Sequence, residues 1–210
     1  MEYNMKANVQ YIKQFVFVLC VIIIFASLWM IFFKNKKKNL TVFCSSMDDV
    51  DSVYIEQTKY IVSKLDAKKI RIIYGGQTAG LMGVVAKTFR ENGGEVIGVN
   101  YDKFDDGKVV DDYVYDNLRE RQGKLIDMGD EYLVLPGGVG TTLELFDVMV
   151  SNNIADFNKK IHVYNVNGLY NHLLEYIKQI DKGRFIKDGI PSLNIVVSSD
   201  ADKIARDINK

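Results

Sequence analysis

From Leu40 onward, short apolar runs alternate with longer amphipathic segments, and few features restrict a fold more tightly. The runs Leu40–Cys44, Ile70–Tyr74, Glu95–Val99, Tyr132–Leu135, Lys160–Val166 and Leu193–Ser198 read as buried strands. Between them, Val50–Lys68, a segment reaching about Asn92, Asp116–Met128, Thr141 to about Ser151, Leu169–Ile180 and the stretch from Asp200 read as helices. In Val50–Lys68, for example, Val53, Gln57, Tyr60, Ile61 and Leu65 recur at three and four. Strands that alternate with helices pair in parallel through crossover helices, so a doubly wound, Rossmann-like parallel sheet is predicted. Ligands of such sheets bind outside the carboxyl ends of the strands.

The chain has glycines at those strand ends. Leu135-Pro136-Gly137-Gly138-Val139-Gly140-Thr141-Thr142-Leu143-Glu144 follows a strand and opens into a helix. Glycines let a ligand approach the backbone, and the helix start offers unpaired N–H groups, which together suit a phosphate. Thr141-Thr142-Leu143-Glu144 also fits a capping box, with Thr141 at the N-cap and Glu144 at N3. In that position the helix dipole would favour an ionised Glu144, better suited to a base or a cation stabiliser than to a proton donor. Tyr74-Gly75-Gly76-Gln77-Thr78-Ala79-Gly80-Leu81-Met82-Gly83 is the second strand–glycine–helix junction. Gln77 stands where a dinucleotide fingerprint needs glycine, and neither loop has the Gly-Lys-Ser/Thr of a P-loop. The alternative for this second loop is structural, with glycines serving a tight turn and close helix packing.

Ahead of the domain, residues 14–33 run for twenty residues without a charge, QFVFVLCVIIIFASLWMIFF. As a helix this covers ~30 Å, a bilayer's hydrocarbon core. The expected organisation is a tail over 1–13, a transmembrane anchor over 14–33, a basic linker over 34–39 and a globular domain over 40–210. Four lysines follow the anchor and two precede it, which places the domain in the cytosol and the protein at a membrane. The chain is neutral overall, but residues 1–38 carry +5 and the remainder −5. A net-acidic globular part argues against nucleic acid as partner. Two cysteines, Cys20 and Cys44, build no disulfide framework. His162 and His172 lack a partner pattern and read as structural, and no metal site is expected.

Taken together, the two glycine loops resemble the LOG ("lonely guy") family of cytokinin riboside 5′-monophosphate phosphoribohydrolases, often labelled lysine decarboxylases. Phe43-Cys44-Ser45-Ser46 is similar to the family's Phe-Cys-Gly-Ser-Ser opening. Tyr74-Gly75-Gly76 through Gly80-Leu81-Met82-Gly83 is similar to its first glycine loop, and Pro136 to Glu144 satisfies its PGGxGTxxE motif. The resemblance implies hydrolysis of the N-glycosidic bond of a nucleoside 5′-monophosphate, releasing base and ribose 5-phosphate without a cofactor. It implies a homodimer and a catalytic pair of Glu144 and Arg121, the latter in Leu118-Arg119-Glu120-Arg121-Gln122. Substrate and phosphate would be held by Ser46, Gly76, Thr78, Gly137, Gly138, Val139, Gly140 and Thr141. Leu118, Gln122, Ser45, Gln77 and Leu143 depart from the family pattern. A non-catalytic nucleotide-binding module on the same fold is the alternative. A pyridoxal phosphate decarboxylase would need a Schiff-base lysine in a recognisable site, and the sequence offers none.

Overall fold

The structure is a computed structural model that describes residues 15–27, 29, 37–104, 113–155 and 157–210. The chain divides into two units, one ending at Lys36 and the other spanning Lys37–Lys210.

In the first unit, residues 15–27 are helical, and Phe15, Phe17, Ile22 and Phe25 are exposed. Among the described residues no helix is long and apolar enough to cross a membrane. The expected anchor, the membrane as partner and the membrane localisation are corrected accordingly. Residues 14, 28 and 30–33 of that apolar stretch, the tail 1–13 and linker residues 34–36 lie outside the described residues.

The second unit is a seven-stranded parallel sheet: β1 (Lys38–Phe43), β2 (Ile70–Tyr74), β3 (Glu95–Tyr101), β4 (Tyr113–Tyr115), β5 (Glu131–Val134), β6 (Ile161–Tyr164) and β7 (Ile195–Ser198). Their order across the sheet is β4-β3-β2-β1-β5-β6-β7, with Leu40 opposite Ile72 on one side and Val42 opposite Leu133 on the other. The central strands are buried on both faces, as their near-continuous apolar sequences require. Side-chain alternation divides them between two cores. Leu40, Val42, Leu133 and Leu135 meet Ile61, Leu81, Phe89 and Ile204 on one face. Phe43, Tyr132 and Val134 meet Leu125, Leu145, Met149 and Ile177 on the other. The first face is therefore covered by α1 (Ser52–Ser63), α2 (Gly80–Glu91) and α6 (Ala201–Ile208). The second is covered by α3 (Leu118–Asp127), α4 (Val139–Ile154) and α5 (Asn171–Lys182).

The predicted doubly wound sheet thus holds, with one strand more than the six read from sequence. β4 has three residues, exposed or half-buried, at the sheet edge beside β3, so it lacks the apolar run that reveals the others. The acidic loop before it, residues 105–112, lies outside the described residues. At the N-terminal ends of the strands, Glu131 accepts from Lys38 Nζ at 2.9 Å and pairs with fully buried His162 Nε2 at 3.0 Å. His162 is structural, then, at the end of the sheet opposite the strand ends where ligands bind; His172 is exposed on α5.

The topology fixes where a site can form. From β1 the chain winds outward through β2, β3 and β4, and then returns to β5 on β1's other side. The loops leaving β1 and β5 therefore diverge to opposite faces, and a crevice opens between them. Their bases are tied together, Leu135 N–H donating to the Phe43 carbonyl at 2.9 Å and Ser45 N–H to the Pro136 carbonyl at 3.1 Å.

Candidate active site at the switch-point crevice

That crevice is a cleft of about 380 Å3. The β1 loop contributes Cys44, Ser45, Ser46 and Met47; the β2 loop and α2 contribute Gln77 and Met82; α3 contributes Leu118, Arg121 and Gln122; and α4 contributes Gly138–Thr141, Leu143 and Glu144.

Arg121 is placed by α3, whose start is capped by Asn117: its Oδ1 accepts from Arg119 N–H at 2.9 Å and Glu120 N–H at 3.3 Å. This cap starts the helix at Leu118 rather than at Asp116, and it directs Arg121 inward, where only 6% of the residue stays exposed. Three elements then hold the guanidinium. Nε donates to the Val99 carbonyl of β3 at 2.9 Å, Nη2 to the Gly75 carbonyl after β2 at 3.2 Å, and Nη1 to Glu144 Oε1 of α4 at 3.2 Å. Gly75 has to be glycine for this arrangement, because a Cβ there would lie 2.5 Å from Arg121 Nη2.

Glu144 is 7% exposed. Burial pushes its carboxyl up to about 7, against the pull of Arg121, which favours the ionised form by charge and hydrogen bond. Burial likewise lowers Arg121, opposed by Glu144, and a guanidinium keeps its charge through such a shift. The Cys44 thiol, buried and close to Glu144, is pushed up and stays protonated.

The capping box is overturned. α4 begins at Val139 with Gly138 as N-cap, so Thr141 lies inside the first turn and Glu144 in the second. No side chain caps this helix; the hydroxyl that turns back is that of Thr142, donating to the Gly138 carbonyl at 3.0 Å. The dipole argument for an ionised Glu144 fails with it, since the effect fades after the first turn and burial dominates. The first N–H groups of α4 are left uncapped at the cleft, where Gly138, Val139 and Gly140 are all exposed.

Of the sequence-predicted residues, the fold brings Arg121, Glu144, Ser46, Gly138, Val139, Gly140 and Thr141 to one cleft. It does not bring all of them. Thr78 lines a separate open cavity between α1 and α2 with Asp48 and Lys87. Gly76 turns at φ +84 against Asn100, outside the cleft lining. Gly137 backs onto Thr141, and a Cβ there would lie 2.1 Å from Thr141 Oγ1. Ser45 Oγ accepts from Met47 N–H at 3.1 Å, closing its own loop. Sequence reasoning missed Met47, Met82 and Asp147, which accepts from Gln122 Nε2 at 2.8 Å. It also missed the two main-chain carbonyls that seat Arg121. A carbonyl acceptor leaves no mark in a sequence, whereas Gly75 was a visible trace of the close approach.

A doubly wound parallel sheet with a glycine turn, an uncapped helix start and a buried Arg–Glu pair at its switch point defines an α/β protein of the Rossmann-like class with a candidate ligand cleft. Comparison with known proteins narrows the class. The family model described as "Possible lysine decarboxylase" matches residues 82–208. A cytokinin riboside 5′-monophosphate phosphoribohydrolase of Rhodococcoides fascians is 31% identical over 76% of this chain and 83% of its own length. One of Arabidopsis thaliana is 32% identical over 73% of this chain and 70% of its own. The chain belongs to this LOG family of phosphoribohydrolases, and it is an enzyme of that kind. Among solved structures, the molybdenum cofactor carrier protein of Chlamydomonas reinhardtii superposes with a TM-score of 0.60 at 17% identity, covering 81% of this chain and 96% of its own. The molybdenum cofactor binding protein of Rippkaea orientalis gives 0.61 at 14% identity, over 82% and 96%. That likeness shows a shared fold. No lysine is among the described residues lining the cleft.

Proposed function

We propose that the chain hydrolyses the N-glycosidic bond of a nucleoside 5′-monophosphate, of cytokinin or purine type, to free base and ribose 5-phosphate. The observation that carries this reading is one shared cleft, with uncapped backbone N–H groups at Gly138–Thr141 and the buried Arg121–Glu144 pair one turn further along α4. The phosphate binds the N–H groups at the start of α4 and sets the sugar over Glu144, so binding energy remote from the reacting bond serves orientation. As the bond breaks, positive charge develops on the ribose, and the Glu144 carboxylate stabilises it and orients the attacking water. Arg121 holds that carboxylate in place through Nη1 while two main-chain carbonyls hold Arg121.

The relatives named for cytokinin riboside 5′-monophosphates support this substrate class, and the family resemblance supports the pair's roles. Incubating the full chain with AMP and with isopentenyladenosine monophosphate tests it. Release of base and ribose 5-phosphate bears it out, whereas intact bound nucleotide identifies a non-catalytic binding module. A homodimer is part of the same proposal. Val139, Leu143, Val150 and Ile154 are exposed within about 60° of one another around α4, an apolar stripe that a second copy would cover. Sedimentation of Val150→Lys against the parent chain distinguishes a dimer lost from one that never formed.

A further inference from the structure

A second link joins α3 to α4 immediately beside the Arg121–Glu144 pair. Gln122 Nε2 donates to Asp147 Oδ2 at 2.8 Å. A carboxylate only accepts, so this bond decides which end of the amide faces Asp147. The NH2 group points to α4, and the carbonyl Oε1 is left without a protein donor among the described residues. Gln122 lines the cleft. Its amide is therefore a hydrogen-bond acceptor of fixed orientation at a ligand-facing position.

Position along α4 suggests what it meets. The uncapped N–H groups lie at Gly138–Thr141, Glu144 follows about one turn later, and Asp147 about one turn after that. A nucleotide with its phosphate at the helix start and its ribose at Glu144 has its base at the level of Asp147 and Gln122. Leu118, one turn before Gln122, and Leu143, one turn before Asp147, are 44% and 55% exposed. Two apolar side chains flanking one oriented polar group suit a flat heteroaromatic ring with a hydrogen-bond donor on its edge.

We propose that Gln122, oriented by Asp147, determines base specificity by accepting a hydrogen bond from the exocyclic amino group of the base, so that amino-purine nucleotides are selected over oxo-purine ones. This rests on the cleft being the nucleotide-hydrolase site proposed above. The oxo group of an oxo-purine would set acceptor against acceptor, and the amide cannot turn over to relieve this without presenting its carbonyl to the Asp147 carboxylate. An N6-substituted adenine still carries one N–H and satisfies Oε1.

The test measures base release by the full chain from AMP and from IMP. The expected kcat/KM ratio favours AMP by about tenfold or more, the discrimination one mispaired hydrogen bond provides. Gln122→Lys keeps a donor for Asp147 but replaces the acceptor at the cleft, and the ratio should fall to one or below. Asp147→Asn lets the amide turn over, and the ratio should shrink toward one while the melting midpoint reports whether the fold persists. A wild-type ratio of one, or variants that slow both substrates equally and leave the ratio unchanged, would overturn the inference and make Gln122–Asp147 a structural brace. If neither nucleotide is cleaved, the hydrolase reading fails by itself. The same comparison is then read from the Kd values of AMP and IMP, and equal values overturn the selection.

Discussion

Two loops of this chain have similar sequences, Tyr74–Gly83 after β2 and Pro136–Glu144 after β5, yet Gly138 and Gly140 of the second exist for a reason opposite to that of the first loop's glycines, whereas Gly137 is crowded as those are. In the first, protein atoms would crowd a Cβ at every glycine: Arg121 and Met82 at Gly75, Asn100 at Gly76, the Ser46–Met47 backbone at Gly80 and the Thr78 carbonyl at Gly83. Gly76 and Gly80 also have φ of +84 and +55, where side chains are strained. In the second loop, a Cβ at Gly138 or Gly140 would meet nothing within 4 Å. Internal packing does not require glycine there, so the absent side chains keep room for something from outside. The first loop builds the wall that seats Arg121, and the second holds a space open.

Damage on the two sides should therefore separate into chemistry and architecture. The largest effect belongs to the carboxylate that follows the open loop. Glu144→Gln is expected to lower kcat by about 10³-fold, as loss of a group that stabilises developing charge does. Full turnover in that variant would remove Glu144 from the mechanism. The parent enzyme's pH profile sharpens the point. Because burial raises Glu144 to about 7 and the reaction uses its ionised form, kcat should fall about tenfold per pH unit below 7 and level off above it. The sign for stability is opposite. A carboxyl raised on folding stabilises the native state while protonated, and this contribution disappears as pH rises from the ordinary carboxylate range to about 7. Melting midpoints of the parent and of Glu144→Gln should diverge as pH rises through that window and stop diverging near 7, where the activity limb has its midpoint.

Next in size is the crowded loop. A Cβ at Gly83 would lie 1.9 Å from the Thr78 carbonyl oxygen, a backbone atom that cannot swing aside. Gly83→Ala should cost about 3 kcal/mol, read as a melting midpoint several degrees lower. Gly75→Ala meets the end of a side chain instead, so the fold accommodates it at the expense of Arg121's seat. Its kcat is expected to fall about tenfold with a smaller thermal shift. A Gly75→Ala variant that melts early yet turns over normally would show that Arg121 needs no such seat.

How far this contrast was legible beforehand depends on which physical signal each part leaves. The doubly wound sheet could be read because buried parallel strands are apolar throughout and their crossover helices are amphipathic. β4 could not, since Tyr113-Val114-Tyr115 is half-exposed at the sheet edge and too short for a pattern. Glu144 and Arg121 were found through motifs, and the structure brings them together although 23 residues separate them. Thr78, given by the family resemblance, lines a cavity other than the cleft, and the close approach of Gly80 and Gly83 to neighbouring backbone that shapes its loop depends on tertiary packing. The capping box failed for a related reason. Thr141 and Glu144 have the right types at the right spacing, but the N-cap is Gly138, three residues earlier, and Glu144 is drawn to Arg121. The apolar stretch 14–33 has the composition of a span, yet among the described residues no helix is long and apolar enough to cross a membrane.

The smallest effect is the most discriminating, because stability and function should move in opposite directions. Gly140 lies in the first turn of α4, is exposed, and has open space where a Cβ would be. Alanine is the better helix former and narrows the unfolded ensemble, so Gly140→Ala should raise stability by about 0.5–1 kcal/mol. The added methyl occupies the space over the uncapped N–H groups where the phosphate is proposed to bind, so KM for the nucleotide should rise about tenfold while kcat changes little. Calorimetry and steady-state kinetics on one preparation measure both. A variant that is stabilised with KM unchanged would mean the open loop accommodates no ligand group, and the two glycine loops would then differ only in how tightly the rest of the protein packs against them.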